Sequence, residues 1–258
     1  MNTLQTSIKD HIATIRLDRG SSNAMSLEMI NELNSLIENL ENDNDVSVVI
    51  ITGKDNFFTS GLDLFEIYEL NESEIKTFWI KFLELQSTLI SFKKPLIAAI
   101  NGHSPAGGCI MAICCDYRIM AEGKFIIGLN ELPVGIIVPD FVFQLYAFWI
   151  GERNASQYLL EGRLLNVTEA LEVGLIDKVC ASEELLISAE NKLKTYFSID
   201  PETWSQSKLN IRREIIDRFN SDHTDTLDKI LKQWWAPETR NRLKLILQNL
   251  KQTATQAI

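Results

Sequence analysis

The residues best suited to chemistry in this chain interrupt its apolar runs. Glu131 stands inside "FIIGLNELPVGIIVP", Phe125 to Pro139, with Asn130 beside it and no other charge nearby. A carboxylate removed from water without a partner is costly. Desolvation disfavours its ionised form and raises its pKa. A group tuned in that way can take a proton and give it back within one cycle. The structural alternative is a glutamate bonded to backbone or to Asn130.

Two glycine-bearing segments could serve such a base. "NGHSPAGGCIMA", Asn101 to Ala112, puts Gly107 and Gly108 where a helix would begin. First-turn N–H groups have no intrahelical acceptor, and the helix dipole adds partial positive charge there. Without Cβ atoms an acceptor oxygen can approach, which suits an anion or oxyanion. Close helix packing would also select glycine. The spacing matches neither a phosphate-binding P-loop nor a dinucleotide fingerprint. In "FFTSGLDL", Phe57 to Leu64, Gly61 allows a turn or a close approach and would expose the Leu62 N–H, while Asp63 can open a helix. An ordinary strand-to-helix loop would read the same way.

Other candidates favour structural roles. His103 reads as a packed or turn histidine, Asp116 as a helix-end or strand-start residue, and Glu66 and Glu69 as a solvated helix face. Trp234 and Trp235 read as packing for C-terminal helices. Cys109, Cys114, Cys115 and Cys180 form no C-x-x-C pair, and with 3 histidines in the chain metal ligation is not expected. They read as small buried thiols in a reducing compartment.

The elements that must position these groups alternate. "TSIKD" and "IATIRLD" read as a hairpin. Ser26 reads as the N-cap of a helix whose apolar face is Leu27, Ile30, Leu33, Ile37 and Leu40. "VSVVIIT" and "KPLIAAI" are continuous apolar runs suited to strands buried on both faces. A long helix is predicted between them, about Glu72 to Phe92. "PAGGCIMAICC" reads as a buried helix and "DYRIMAE" as a strand, so the order is that of repeated right-handed crossovers. From about Asp200 the chain turns charged and amphipathic, which predicts a helical subdomain over 200–258 after an α/β core over 1–199.

The 258 residues include 25 Lys and Arg against 35 Asp and Glu, a net charge of −10 that argues against nucleic acid as a partner. No apolar run reaches membrane-spanning length. The N-terminal stretch reads as neither an export nor an organelle signal, and "TQAI" is not a peroxisomal address, so a cytoplasmic location is expected.

Taken together, "NAMSLEMINEL", "FFTSGLDL", "KPLIAAINGHSPAGGCIMAICCDYRIMAE" and "GLNELPVGI" resemble the crotonase (enoyl-CoA hydratase/isomerase) superfamily, and "WWAPETRNRLKLILQNL" resembles its closing helices. The resemblance implies a ββα superhelical spiral and a homotrimer or dimer of trimers. It implies an acyl-CoA substrate, with CoA part of the substrate and no separate cofactor. It assigns an oxyanion hole to the N–H groups of Leu62 and Gly107, and substrate contacts to Ser60, Gly61, Leu62, Asp63 and Leu64. It suggests Ala24 and Met25 as a CoA-adenosine strip, with Arg19 a candidate for a phosphate. Hydratases of the superfamily carry a glutamate directly after the "GGC" motif, and here that position is Ile110. The remaining acid, Glu131, suits a proton shift within one substrate, with Asn130 contacting the substrate or orienting the glutamate. The string most resembles the monofunctional enoyl-CoA delta isomerases of fatty-acid degradation. Thioester hydrolysis, decarboxylation, weak hydration and non-catalytic acyl-CoA binding are the alternatives. Phe65, Trp79, Phe82, Phe141 and Phe143 are candidates to bound the acyl tail.

Overall fold

The two continuous apolar runs are strands at the centre of a sheet: β3 spans Val48–Thr52 and β4 spans Leu96–Ile100, with every residue of both buried. Their side chains alternate between two faces. Val49, Ile51, Leu96, Ala98 and Ile100 enter the larger core, while Val48, Ile50, Ile97 and Ala99 enter a smaller one. This computed structural model describes residues 1–256, with side chains described through residue 252, so the last two residues of "TQAI" lie outside the described residues.

The sheet has six strands. The hairpin of β1 (Leu4–Lys9) and β2 (Ile12–Leu17) is antiparallel, and the order then runs β2, β3, β4, β6 (Tyr117–Ala121) and β9 (Lys178–Cys180), all parallel. Parallel neighbours need crossovers, and helices supply them. The first is α1 (Leu27–Asn42), whose N-cap Ser26 accepts a hydrogen bond from the Met29 N–H as expected. The pair α2 (Leu64–Glu69) and α3 (Glu72–Ser91) leads to β4, and α4 (Gly107–Cys114) leads to β6. Asn71 and Glu74 close a reciprocal capping box at the start of α3, close to its predicted limits.

A second sheet was not anticipated. Its strands are β5 (Ser104–Pro105), β7 (Ile126–Gly128) and β8 (Leu165–Asn166), too short to leave a periodic signal. It sets the segment before α4 beside the segment before α5 (Glu131–Val134). The chain continues through α6 (Asp140–Glu161), interrupted at Gly151, then α7 (Val167–Glu172) and α8 (Leu185–Lys194). Helix α8 covers the smaller core with Leu185, Ala189 and Leu193.

The predicted C-terminal helices are α9 (Pro201–Phe219), α10 (Thr224–Trp234) and α11 (Pro237–Gln256). Their Ile215, Phe219, Ile230, Trp234 and Leu243 join the larger core. Lys208 and Arg212 of α9 reach Asp116 at 2.8 and 3.0 Å, and Arg212 also donates to the Cys114 and Cys115 carbonyls at 3.0 Å each. These cations stand at the C-terminal end of α4, where they complement its exposed carbonyls and dipole. Among the described residues no helix is long and apolar enough to cross a membrane.

Candidate active site

Gly107 is the first residue of α4, and Leu62 lies in an isolated parallel bridge with Met25. In that bridge the Met25 N–H donates to the Gly61 carbonyl at 2.8 Å, and the Asp63 N–H donates to the Met25 carbonyl at 3.0 Å. Leu62 sits between those bonds, so its own N–H and C=O face away from Met25. The Gly107 N–H, at a helix start, has no intrahelical acceptor. Neither N–H has an acceptor among the described residues. The two segments touch: a Cβ on Gly61 would lie 3.2 Å from the Gly107 nitrogen, and one on Gly107 would lie 3.5 Å from the Gly61 Cα.

Local geometry turns these peptides. Gly61 has φ +89°, and its N–H donates to the buried Thr59 hydroxyl at 3.1 Å. Ala106, the N-cap of α4, has φ 50° and ψ −123°. That conformation is foreign to residues with a Cβ, and it sets the plane of the peptide that ends in the Gly107 N–H. The strain is held by the second sheet, where the Ala106 N–H donates to the Gly128 carbonyl at 2.8 Å.

Glu131 opens α5 and is 8% exposed. Burial pushes its carboxyl up to about 7, opposed by its own backbone N–H, and its Oε2 has no hydrogen-bond partner. The structural alternative of a glutamate satisfied by Asn130 is therefore absent: Asn130 makes no side-chain cap bond, and its buried Oδ1 is also unpartnered. Gly135 ends α5 in the left-handed region at φ 84°, and Thr239 of α11 packs where its Cβ would be. Arg242 donates to the Pro133 carbonyl at 3.4 Å. The C-terminal helix thus supports the turn that carries Glu131.

One cavity of about 140 Å³ brings these groups together. Leu62 and Gly107 line it with Ser60 and Leu64, as do Asn130 and Glu131, and Ile110 lines it from α4. Glu131 is the only carboxylate among the described lining residues. Trp79, Phe82 and Phe141 line it as expected. Phe65, 41% exposed, and Phe143 do not, which corrects their assignment as tail-bounding residues.

The remaining candidates are engaged elsewhere. Asp63 caps α2 by accepting from the Phe65 and Glu66 N–H groups, and its other oxygen pairs with Arg19 at 2.6 Å. Glu66 pairs with Arg19 at 3.3 Å and accepts from the Leu27 N–H, so it is a tether between α2 and α1 rather than a solvated face. With two carboxylates and the Ala24 carbonyl around it, Arg19 is occupied and is a poor phosphate ligand. Met25 is fully buried, with its side chain against Gly107 and its N–H and C=O both bonded, which leaves only half-buried Ala24 of that strip for a ligand. His103 packs against Phe57 and Phe125, with burial lowering its pKa, and Asp116 is the structural ion-pair partner already described. Trp234 packs on Trp79 in the core, with ring centroids 6.5 Å apart.

Sequence reasoning missed Thr59 and Ala106, which orient the two donor segments, and Gln86, His223 and Thr226, which line the cavity from α3 and the start of α10. Gln86 falls on the apolar face of α3, seven residues after Trp79, and that spacing was the available signal.

Residues 7–233 match the family model described as enoyl-CoA hydratase/isomerase. Over 243 residues, 93% of this chain and 84% of the relative, the chain is 35% identical to the rat enoyl-CoA delta isomerase 1, mitochondrial, and 33% identical to the mouse protein of the same name. The crystal structure of human mitochondrial delta3-delta2-enoyl-CoA isomerase superposes with a TM-score of 0.94 at 29% identity, covering 97% of this chain and 99% of that one. The isolated glutamate, the paired backbone donors and the apolar cavity are thus set in a crotonase fold, and the chain belongs to the enoyl-CoA hydratase/isomerase superfamily of enzymes.

Proposed function

We propose that the enzyme moves the double bond of a 3-enoyl-CoA into conjugation, giving the trans-2-enoyl-CoA, in fatty-acid degradation. Glu131 removes a proton from the α carbon. Negative charge gathers on the thioester oxygen, where the Leu62 and Gly107 N–H groups receive it. The same carboxyl then delivers the proton to the γ carbon. The donors act most strongly on the enolate, so they lower the barrier rather than merely tighten binding. By analogy with measured oxyanion holes each contributes about 3 kcal/mol. Ser60 to Leu64 flank the thioester, Asn130 contacts the substrate with its unpartnered carbonyl, and Ala24, held by the buried Met25 behind it, meets the CoA adenosine.

The observation that carries this reading is a cavity with one carboxylate among its described lining residues, with Ile110 at the position where the resemblance places a second acid. Adding water across a double bond is best served by two carboxylates around that water, whereas a proton shift within one molecule needs one. The delta-isomerase relatives point the same way. A homotrimer or dimer of trimers and a cytoplasmic location complete the proposal. Light scattering tests the first, and cell fractionation tests the second against the mitochondrial location in the relatives' names.

The reaction is tested by incubating the protein with 3-enoyl-CoA and 2-enoyl-CoA thioesters and analysing products. Conjugation of the 3-enoyl substrate is expected to dominate. Formation of 3-hydroxyacyl-CoA or free CoA at a comparable rate would favour hydration or hydrolysis, and binding without turnover would favour a non-catalytic acyl-CoA subunit.

A further inference from the structure

The wall of the cavity formed by α3 and α10 is not as apolar as its surroundings. Gln86 is 4% exposed and lines the cavity among Phe82, Leu83 and Leu227. Its Nε2 donates back to the Phe82 carbonyl at 3.1 Å, and its Oε1 is buried without a partner. The carbonyl of Phe82 selects the amide orientation, because the opposite flip would set two oxygens against each other. The free end of Gln86 is therefore an acceptor. His223 lines the same wall, with its ring 4.6 Å from that of Phe141. Its Nε2 lies 2.9 Å from the Phe219 carbonyl, so that nitrogen donates the hydrogen bond. Thr226, one turn on, adds a hydroxyl to the lining.

Gln86 and Leu83 are one turn apart on α3, and Leu83 and His223 both line the cavity and the outer groove between α1, α3 and α9. Gln86 and His223 thus lie toward one end of the cavity, with Thr226 one turn beyond His223. A buried acceptor without a donor costs about 1–3 kcal/mol, and a wall meant only for methylene groups gains nothing from it. On the reading that the cavity receives the acyl group, we infer that this end binds a hydroxyl on the acyl chain, which donates to Gln86 Oε1. The substrate class becomes a hydroxylated 3-enoyl-CoA. The cavity is about 140 Å³, and an apolar cavity of about 150 Å³ holds a six-carbon ring, so the hydroxyl belongs on a chain of about six carbons.

The test measures kcat/KM for 3-enoyl-CoA thioesters of matched length with and without a terminal hydroxyl, in the wild type, Gln86→Leu and Thr226→Val. The wild type should favour the hydroxylated chain by about tenfold at the best length. Gln86→Leu should reverse that preference. Thr226→Val, a milder change at a part-exposed site, should reduce the preference by less than Gln86→Leu does. An equal or better rate for the plain chain in the wild type overturns the inference and leaves the isomerase reading intact. Turnover of neither chain overturns the isomerase reading itself.

Discussion

Gly108 brings α4 so close to Thr59 that a Cβ on the glycine would meet the Thr59 carbonyl oxygen at 2.7 Å and the Ser104 hydroxyl at 3.0 Å. The two glycines of the pair therefore divide the work that the sequence left open. Gly107 presents an unpaired N–H, and Gly108 sets the separation between its helix and the segment leading to Leu62. A backbone carbonyl cannot yield as a side chain can, so Gly108→Ala should destabilise the fold by about 1–3 kcal/mol. Turnover should fall about 10²-fold, because a shift of about 1 Å between donor segments misplaces the substrate oxygen. Gly107→Ala meets chiefly the flexible end of Met25, at 2.5 Å, and should cost less stability. Thermal unfolding of both variants checks the order; equal losses would remove Gly108 as the spacer.

Ala106 stores strain beside the donor it orients. At φ 50° and ψ −123° a glycine is at ease. Ala106→Gly should raise stability by about 1 kcal/mol, the relieved strain outweighing the added freedom of the unfolded chain. The looser peptide should lower kcat severalfold with little change in KM. A variant less stable than the wild type would show that Ala106 is not strained.

Much of this was legible beforehand because it rests on local rules. Ser26 and Asp63 announced helix starts through their capping chemistry, and the β-branched run "VSVVIIT" announced a strand covered on both sides. Glu131 was conspicuous because a charge among apolar neighbours demands a reason. The parts that escaped depend on distant pairing. Ser104–Pro105 pairs with Ile127–Gly128 in a ladder too short for any periodicity. Arg19 looked like a free cation until the fold brought Asp63 and Glu66 to it. Gln86 was hidden in the apolar face of a helix, and only the cavity in front of it reveals an unanswered carbonyl.

On the proposed mechanism the carboxyl of Glu131 couples activity to pH. Catalysis needs it ionised at the start of the cycle, so kcat/KM should rise with pH through an apparent pKa of about 7 and then level off. Stability should move the other way. With a folded pKa raised from 4.5 to about 7, the native state binds the extra proton between those values, and stability is lost as pH rises through that window. The displacement corresponds to about 3 kcal/mol. Glu131→Gln should therefore match the wild type near about pH 4 and exceed it in melting temperature at about pH 8. A wild-type profile with its acid limb at the ordinary carboxylate pKa would contradict the raised value.

On the proposed mechanism Ile110 marks the choice of reaction. Ile110→Glu would place a second carboxyl in the cavity with Glu131, and like charges hold each other's protons. The acid limb of isomerisation should move above its wild-type position. Hydration of a 2-enoyl-CoA to the 3-hydroxyacyl-CoA should become measurable. An unchanged pH profile would place the new carboxyl out of reach of Glu131.

The most direct measurement is turnover of a 3-enoyl-CoA by Glu131→Gln beside the affinity of the same variant for an unreactive acyl-CoA. The amide preserves shape and cannot carry the proton, so kcat should drop by about 10²–10⁴-fold while thioester affinity stays within a few fold of wild type. Wild-type turnover in this variant would contradict the assignment of Glu131 as the group that moves the proton.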